Sequence, residues 1–188
     1  MSEEKLFAVY LGGRADKCNI ELHDVVFVVA TTIEESYSLL ARKWFGNLDG
    51  FHIDSYQEIK QVDGFEVSLS KSRPAEPQEN KLFFINLGAY RHGEFTEVHK
   101  SEFYVATSAP NAVRRAKEEF ASPDLHTIHK DDVIEVSHVA NDEFDVDDVI
   151  ELDEVDQFFI TLKPAMNQEK NEIQSAYIKL DKELLRLQ

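Results

Sequence analysis

The pattern of apolar and polar positions over the first 70 residues predicts four strands, with a helix after the second. Four segments are rich in apolar, β-branched and aromatic residues and are predicted as strands: 5–11, 20–30, 51–62 and 65–69. Thr32 and Glu35 have the spacing of a capping box, and apolar residues then recur at helical intervals as far as Trp44. Asp63-Gly64 is a tight-turn signal between the last two strands. The predicted order is therefore β-β-α-β-β.

This pattern occurs a second time along the chain. Residues 6–31 recur at 82–107 in register and without a gap, with 10 identical positions in 26. The helical positions follow at the same offset of 76 residues, so that Trp44 corresponds to Phe120. This agreement is too close for chance in two amphipathic segments, and the chain is interpreted as a duplicated domain.

The end of the second copy is harder to align. Segment 51–62 is matched with 128–139 at an offset of 77, whereas the pattern of the last hairpin returns only at 156–162, at an offset of 93. Between them lies a strongly acidic stretch. The sequence therefore predicts an acidic insertion at 140–155 that opens the second hairpin.

The last segment is predicted as a helix, because its apolar residues are spaced alternately by four and three. These residues are Ile173, Tyr177, Leu180, Leu184 and Leu187. Such a seam either covers the protein's own sheet or joins two chains into a homodimer, and the first arrangement is favoured because the segment is short for an autonomous coiled coil.

The fold class that follows is α+β, with two tandem β-β-α-β-β repeats packed as a pseudo-dimer and a C-terminal helix. Each repeat is near the lower size limit for an independent core, so shared burial is expected. The predicted domains are the first repeat at 1–70, a polar linker at 71–80, the second repeat at 81–164, and the C-terminal helix at 165–188.

Charge and cysteine content restrict the classes of partner. The formal net charge is −16, and residues 142–156 hold nine acidic residues and no basic one. An acidic surface repels phosphate backbones, so direct nucleic-acid binding is not expected. The acidic stretch either keeps the protein solvated or serves as a docking site for a basic protein or as a DNA mimic. Cys18 is the single cysteine and no membrane span or signal peptide is recognised, which predicts a cytoplasmic protein.

One combination of residues resembles a known family. It consists of Gly12-Gly13, the run 21–24 leading into Phe27-Val28-Val29, Trp44, the run 52–55 and the run 62–65. Together these resemble a small bacterial family catalogued only as a domain of unknown function (fifteen forty-three). The second copy keeps the set in degraded form, with Ala89, Lys100 and Phe120 as replacements. The resemblance implies a class of protein without an assigned activity.

Two acid–histidine pairs are the strongest candidates for chemistry. Glu21 and His23 in the first copy correspond to Glu97 and His99 in the second. Residues two apart in a strand face the same side, so each pair places a carboxylate beside an imidazole, which suits a general base or part of a metal site. If the repeats pack face to face, both pairs converge on one site. The alternative is that each histidine is buried and neutral at a strand end.

Three further features have two interpretations each. His52 and Asp54, matched with His129 and Asp131, either join the same cluster, or Asp54 and Ser55 close a turn while His52 packs near the helix end. Gly12-Gly13 is interpreted as a turn with positive φ, because no phosphate-binding motif follows it. Cys18 has no counterpart in the second copy, so a catalytic thiol is not expected.

The functional prediction is a non-enzymatic binding or protein-interaction module that takes a protein partner or a small ligand in a groove between the repeats. The alternative is a metal- or small-molecule-dependent enzyme with a Glu/His site between the repeats, formed by Glu21, His23, Glu97 and His99. The sequence assigns no cofactor, and no membrane partner is expected.

Overall fold

The first repeat builds a sheet with a helix on one face. A computed structural model describes residues 3–89, 95–120, 145–167 and 169–180. Its elements in the first repeat are β1 (Lys5–Arg14), β2 (Leu22–Ala30), a 3-10 turn (Glu34–Ser36), α1 (Tyr37–Lys43), β3 (Asn47–Glu58), β4 (Gln61–Val62) and β5 (Phe65–Ser70). Glu35 donates its backbone N–H to Thr32 Oγ1, as half of the predicted capping box requires.

The elements of the second repeat follow one another in the same order as those of the first. Its elements are β6 (Lys81–Ala89), β7 (Val98–Ala106), α2 (Ala109–Phe120), β8 (Asp145–Leu152), β9 (Glu154–Val155) and β10 (Phe158–Pro164), followed by β11 (Ile173–Lys179). Within the described ranges no helix is long and apolar enough to cross a membrane.

The strands form three sheets in two compact units. One unit comprises residues 1–75 and 154–188, with the strand orders β11-β3-β1-β2 and β4-β5-β10-β9. The other comprises residues 76–153, with the order β7-β6-β8. Between α1 and the sheet β11-β3-β1-β2, Leu11, Leu40 and Phe51 are completely buried. In the other unit, α2 packs its Ala112 and Ala116 on the sheet β7-β6-β8. The predicted packing of the two repeats as a pseudo-dimer stays a prediction.

From Asp145 onward the acidic stretch forms strand β8 of the second repeat, so the predicted insertion at 140–155 is wrong over the residues that the structure describes, and 140–144 lie outside them. β8 pairs with β6 as β3 pairs with β1, and Gly88 faces Asp145 where Gly12 faces His52. The offset between the repeats is therefore 93 residues from His52 onward. Since it is 76 as far as the helices, the additional 17 residues (93 − 76) lie between α2 and β8. The predicted strand at 128–139 lies outside the described residues.

The second hairpin is closed, contrary to the prediction that it is opened. Asp63 and Gly64 have φ values of 52° and 78°, and Asp156 and Gln157 have 50° and 68°, so the same tight turn joins β4 to β5 and β9 to β10. β5 and β10 then pair antiparallel about the corresponding residues Ser68 and Thr161. The two hairpins are thus related locally by a pseudo-twofold axis.

The predicted C-terminal helix is wrong over Ile173–Lys179, which forms strand β11 along the outer edge of β3. Leu180 is completely buried, but Ile173 and Tyr177 are 65% and 69% exposed, so the predicted apolar seam is not one buried face. The available edge of β3 offers a row of backbone partners, and the segment's isoleucines and tyrosine favour a strand. Leu184 and Leu187 lie outside the described residues.

Asp156 fastens the second hairpin to β2 and to the end of α1. Its Oδ2 accepts a hydrogen bond from the Val29 backbone N–H at 2.9 Å, and its Oδ1 lies 2.7 Å from Lys43 Nζ. We expect Asp156→Asn to lower the free energy of unfolding by about 1–3 kcal/mol, because a charge-assisted bond in a partly buried place is weakened. Asparagine tolerates the positive φ, so the backbone is not the cause.

Urea unfolding followed by circular dichroism measures this change. Glu154→Ala, an exposed position on the same hairpin, is the matched control and should shift stability by less than about 0.5 kcal/mol. Equal effects of the two substitutions would contradict the assigned role of Asp156.

Candidate metal centre

Gly12 is the floor of a cluster of polar side chains on the sheet face opposite α1. In the register of the sheet, Gly12 faces His23 on β2 and His52 on β3. Directly paired residues point to the same face, so both imidazoles extend beside a position that has no side chain. A Cβ built on Gly12 would lie 2.4 Å from His52 Nε2 and 2.9 Å from Asp54 Oδ2.

The predicted turn at Gly12-Gly13 is therefore wrong. Both glycines lie inside β1, and neither has a positive φ. Glycine is needed at these positions because other groups approach closely. At Gly13 the approaching group is the Trp44 ring, whose Cζ2 would be 2.9 Å from a Cβ.

A β-bulge aims the Asp54 side chain into the cluster. The pairing of β1 with β3 shifts between Tyr10, which faces Ser55, and Leu11, which faces Ile53, so that Asp54 is the extra residue. Bulges redirect a side chain in this way and are common next to functional sites. Because Asp54 and Ser55 lie within β3, the alternative that placed them in a turn is wrong.

Four side chains meet around a closed ring of short contacts. His23 Nε2 lies 3.4 Å from Glu21 Oε1 and 3.1 Å from Asp54 Oδ2. His52 Nε2 lies 3.3 Å from Glu21 Oε1 and 3.4 Å from Asp54 Oδ1. Each nitrogen therefore has a carboxylate oxygen on either side, and all four donor groups lie within 4.8 Å of one another.

The orientation of His52 is set by the backbone. Its Nδ1 lies 2.7 Å from the carbonyl oxygen of Gly50 and donates a hydrogen bond to it, which directs Nε2 into the cluster. The side chain is 1% exposed, and among the described residues neither its Nε2 nor Asp54 Oδ2 has a hydrogen-bond partner. A buried polar atom without a partner costs about 1–3 kcal/mol, so this arrangement needs an explanation.

Two tyrosines that no sequence pattern marks as site residues lie against the histidines. The Tyr10 ring stacks on His23 with a centroid distance of 5.0 Å, and the Tyr177 ring lies 4.4 Å from that of His52. Burial, and then the nearby Asp54 carboxylate, raises the pKa of Tyr10 above its usual value of 10.0. The sequence gives no signal for Tyr177 as a site residue, because the residue spacing of its segment predicts a helix.

The second repeat contains a simpler cluster at the corresponding place. His99 Nδ1 lies 3.1 Å from Asp147 Oδ2, and its Nε2 lies 3.8 Å from Glu97 Oε2. Asp147 is again the extra residue of a bulge, and a Cβ on Gly88 would lie 2.4 Å from both carboxylates. The position of His52 is taken by Asp145, so this cluster has one histidine fewer. Half of the His99 side chain is exposed.

The predicted site residues thus fall into two groups. Glu21 and His23 lie with His52 and Asp54, whereas Glu97 and His99 lie with Asp147. Each group is built from residues in or next to strands of its own repeat. The convergence of both pairs on one site between the repeats stays a prediction. His129 and Asp131 lie outside the described residues, and the strand register makes Asp147 the counterpart of Asp54.

Comparison with known proteins agrees with the duplication. The model of the family described as Domain of Unknown Function (DUF1543) matches residues 18–69 and 94–152, and the chain belongs to this family. A solved structure described as that of a protein Il1583 from Idiomarina loihiensis is similar, with 28% sequence identity and a TM-score of 0.68. The similarity covers 96% of this chain and 99% of that one. The comparison with curated proteins gives no match.

Proposed function

We propose that this protein binds a divalent transition-metal ion through Glu21, His23, His52 and Asp54. The observation that carries the proposal is the buried Nε2 atom of His52, which has no hydrogen-bond partner among the described residues and faces a second imidazole and two carboxylates. Of the two functions predicted from the sequence, the metal-dependent one is favoured, with its site within the first repeat. The proposal concerns binding and assigns no reaction.

The spacing of the donor atoms suits a metal with bonds of ordinary length. Four ligands at 2.0–2.2 Å in a tetrahedron are separated from one another by roughly 3.3–3.6 Å. The four contacts between His and carboxylate groups here span 3.1–3.4 Å. Two imidazoles and two carboxylates with no thiolate suit borderline ions such as Zn²⁺ or Co²⁺, and the carboxylates supply the charge that neutralises a dication.

Simple ion pairing between histidine and carboxylate explains the cluster less well. A protonated His52 would have to donate from Nε2, yet this atom makes no hydrogen bond to Glu21 or Asp54 despite its short distances to both. A metal uses a lone pair in that position and needs no hydrogen. The Gly50 carbonyl on Nδ1 is the kind of outer partner that orients a metal-binding histidine.

A calorimetric titration of chelator-treated protein with Zn²⁺ tests the proposal. We expect saturable binding that His23→Ala weakens by more than about 100-fold, because loss of an outer partner alone typically costs 10- to 100-fold. His23 is about one-third exposed, so the variant should fold, which circular dichroism checks.

The chain supplies a matched control in the second repeat. His99 holds the position of His23 in an equivalent pair of strands, and His99→Ala should leave the tight Zn²⁺ binding unchanged. Absence of binding by the wild-type protein, or equal losses in the two variants, would overturn the proposal.

A further inference from the structure

We infer that Tyr10 and Tyr177 are positioning residues of the metal site, each holding one ligand histidine in its binding orientation from outside. The inference rests on the proposed function, and it deepens that function by assigning roles to two side chains that donate no metal ligand. It also gives the C-terminal strand β11 a part in the site.

Tyr177 covers the buried histidine. It comes from β11, which pairs with β3 and places Lys179 opposite His52. The two rings are 4.4 Å apart at an angle of 36°, and the His52 side chain is 1% exposed although Tyr177 itself is 69% exposed. One side of the tyrosine ring therefore lies on the histidine while much of the residue stays in contact with solvent. The ring therefore packs against an imidazole that the Gly50 hydrogen bond holds through Nδ1.

Tyr10 plays the same part for the second histidine. Its ring is nearly parallel to that of His23, at 6°, with centroids 5.0 Å apart. Tyr10 precedes Gly12 by two residues in β1, so both lie on the cluster's face of the sheet. A stacked neighbour restricts rotation of an imidazole that is one-third exposed, and the donor atom is then held ready for the metal.

The second repeat provides the contrast that supports this assignment. Asn86 takes the place of Tyr10 there and accepts a hydrogen bond from Ser101 at 2.9 Å. Among the described strands, none pairs with the outer edge of β8 as β11 pairs with β3. In the part of the chain that the structure describes, aromatic rings therefore pack on the histidines of the first cluster and not on His99. A general requirement of the fold would be expected to apply to both repeats.

The test compares removal of each ring with removal of its hydroxyl alone. Tyr177→Ala and Tyr10→Ala should each weaken Zn²⁺ binding by about 10- to 100-fold, as the loss of a group that orients a ligand does. Tyr177→Phe and Tyr10→Phe keep the ring and should bind as the wild type does. Co²⁺ serves as a second probe, because its visible absorption reports coordination geometry and should change in the alanine variants alone.

A control substitution on β11 distinguishes an effect of losing the Tyr177 ring from an effect of disturbing the strand. Ile173 is as exposed as Tyr177, and Ile173→Ala should leave Zn²⁺ affinity unchanged. If wild-type protein binds Zn²⁺ but the alanine variants bind equally well, the inference is overturned and the proposed function stands. Equal weakening by Ile173→Ala, or loss of binding in the phenylalanine variants, also overturns it. Failure of the wild type to bind overturns both.

Discussion

Gly12→Ala is expected to reduce Zn²⁺ affinity by more than about 100-fold, as much as loss of a ligand. The new Cβ would lie 2.4 Å from His52 Nε2 and 2.9 Å from Asp54 Oδ2, which are separations that folded proteins do not tolerate. Because His52 is buried and fixed through the Gly50 carbonyl, it cannot move aside without losing that bond. The methyl group therefore occupies the space in front of the donor atoms. Calorimetric titration with Zn²⁺ measures the loss.

Gly88→Ala is the matched control for this substitution. Gly88 holds the same position in β6, and a Cβ there would lie 2.4 Å from Asp147 Oδ2 and from Glu97 Oε1. Both variants should lose stability by about 1–3 kcal/mol through crowding, but only Gly12→Ala should lose the tight Zn²⁺ site. Normal Zn²⁺ binding by Gly12→Ala would contradict the assignment of His52 Nε2 as a ligand.

The first half of each repeat could be predicted from the sequence because its information is local. The apolar runs predicted as strands form β1 and β2, and the ungapped match with the second copy gives β6 and β7 the same register. Gly12 faces His23 as Gly88 faces His99. The shared face of Glu21 and His23 likewise required only the two-residue period of an extended chain.

The rest of the site depends on strand pairing, which the sequence does not encode locally. His52 joins the cluster because β3 lies beside β1, and Asp54 joins because the bulge turns it inward. A glycine pair after an apolar run usually marks a turn, so the local sequence does not reveal that Gly12 lies inside a strand. A useful signal was nevertheless present, since Gly12, Glu21 and His23 are all repeated at one offset while most loop residues between them are not.

The acidic strand shows where local comparison fails. Segment 51–62 matches 128–139 at 4 of 12 positions, whereas 51–69 matches 144–162 at 7 of 19, so neither alignment stands out by identity. The second runs without a gap through the hairpin, and the pairing of β8 with β6 confirms it. Clustered charge made the segment look like a surface insertion. The charges are tolerated because Asp147, Asp148 and Glu151 are exposed on a strand at the sheet edge.

Leu180→Ala is expected to lower the free energy of unfolding by about 2–5 kcal/mol, the usual cost of removing a fully buried leucine side chain. Leu180 is completely buried in the core formed by α1 and the first sheet, and its N–H donates to the Phe51 carbonyl at 3.0 Å. It therefore anchors the end of β11. Thermal unfolding should show a decrease in Tm of about 5–15 °C.

Ile173→Ala distinguishes the strand from the helix that residue spacing had predicted. A helical seam would bury Ile173 and Leu180 on one face, so that both substitutions would cost similar amounts. In the strand, Ile173 is 65% exposed, and its replacement should change stability by less than about 0.5 kcal/mol. A large loss in Leu180→Ala beside a small one in Ile173→Ala supports the strand, and comparable losses would contradict it. Because β11 carries Tyr177, the same pair of variants also shows whether loss of the anchor weakens Zn²⁺ binding, as it should if the strand holds the tyrosine over His52.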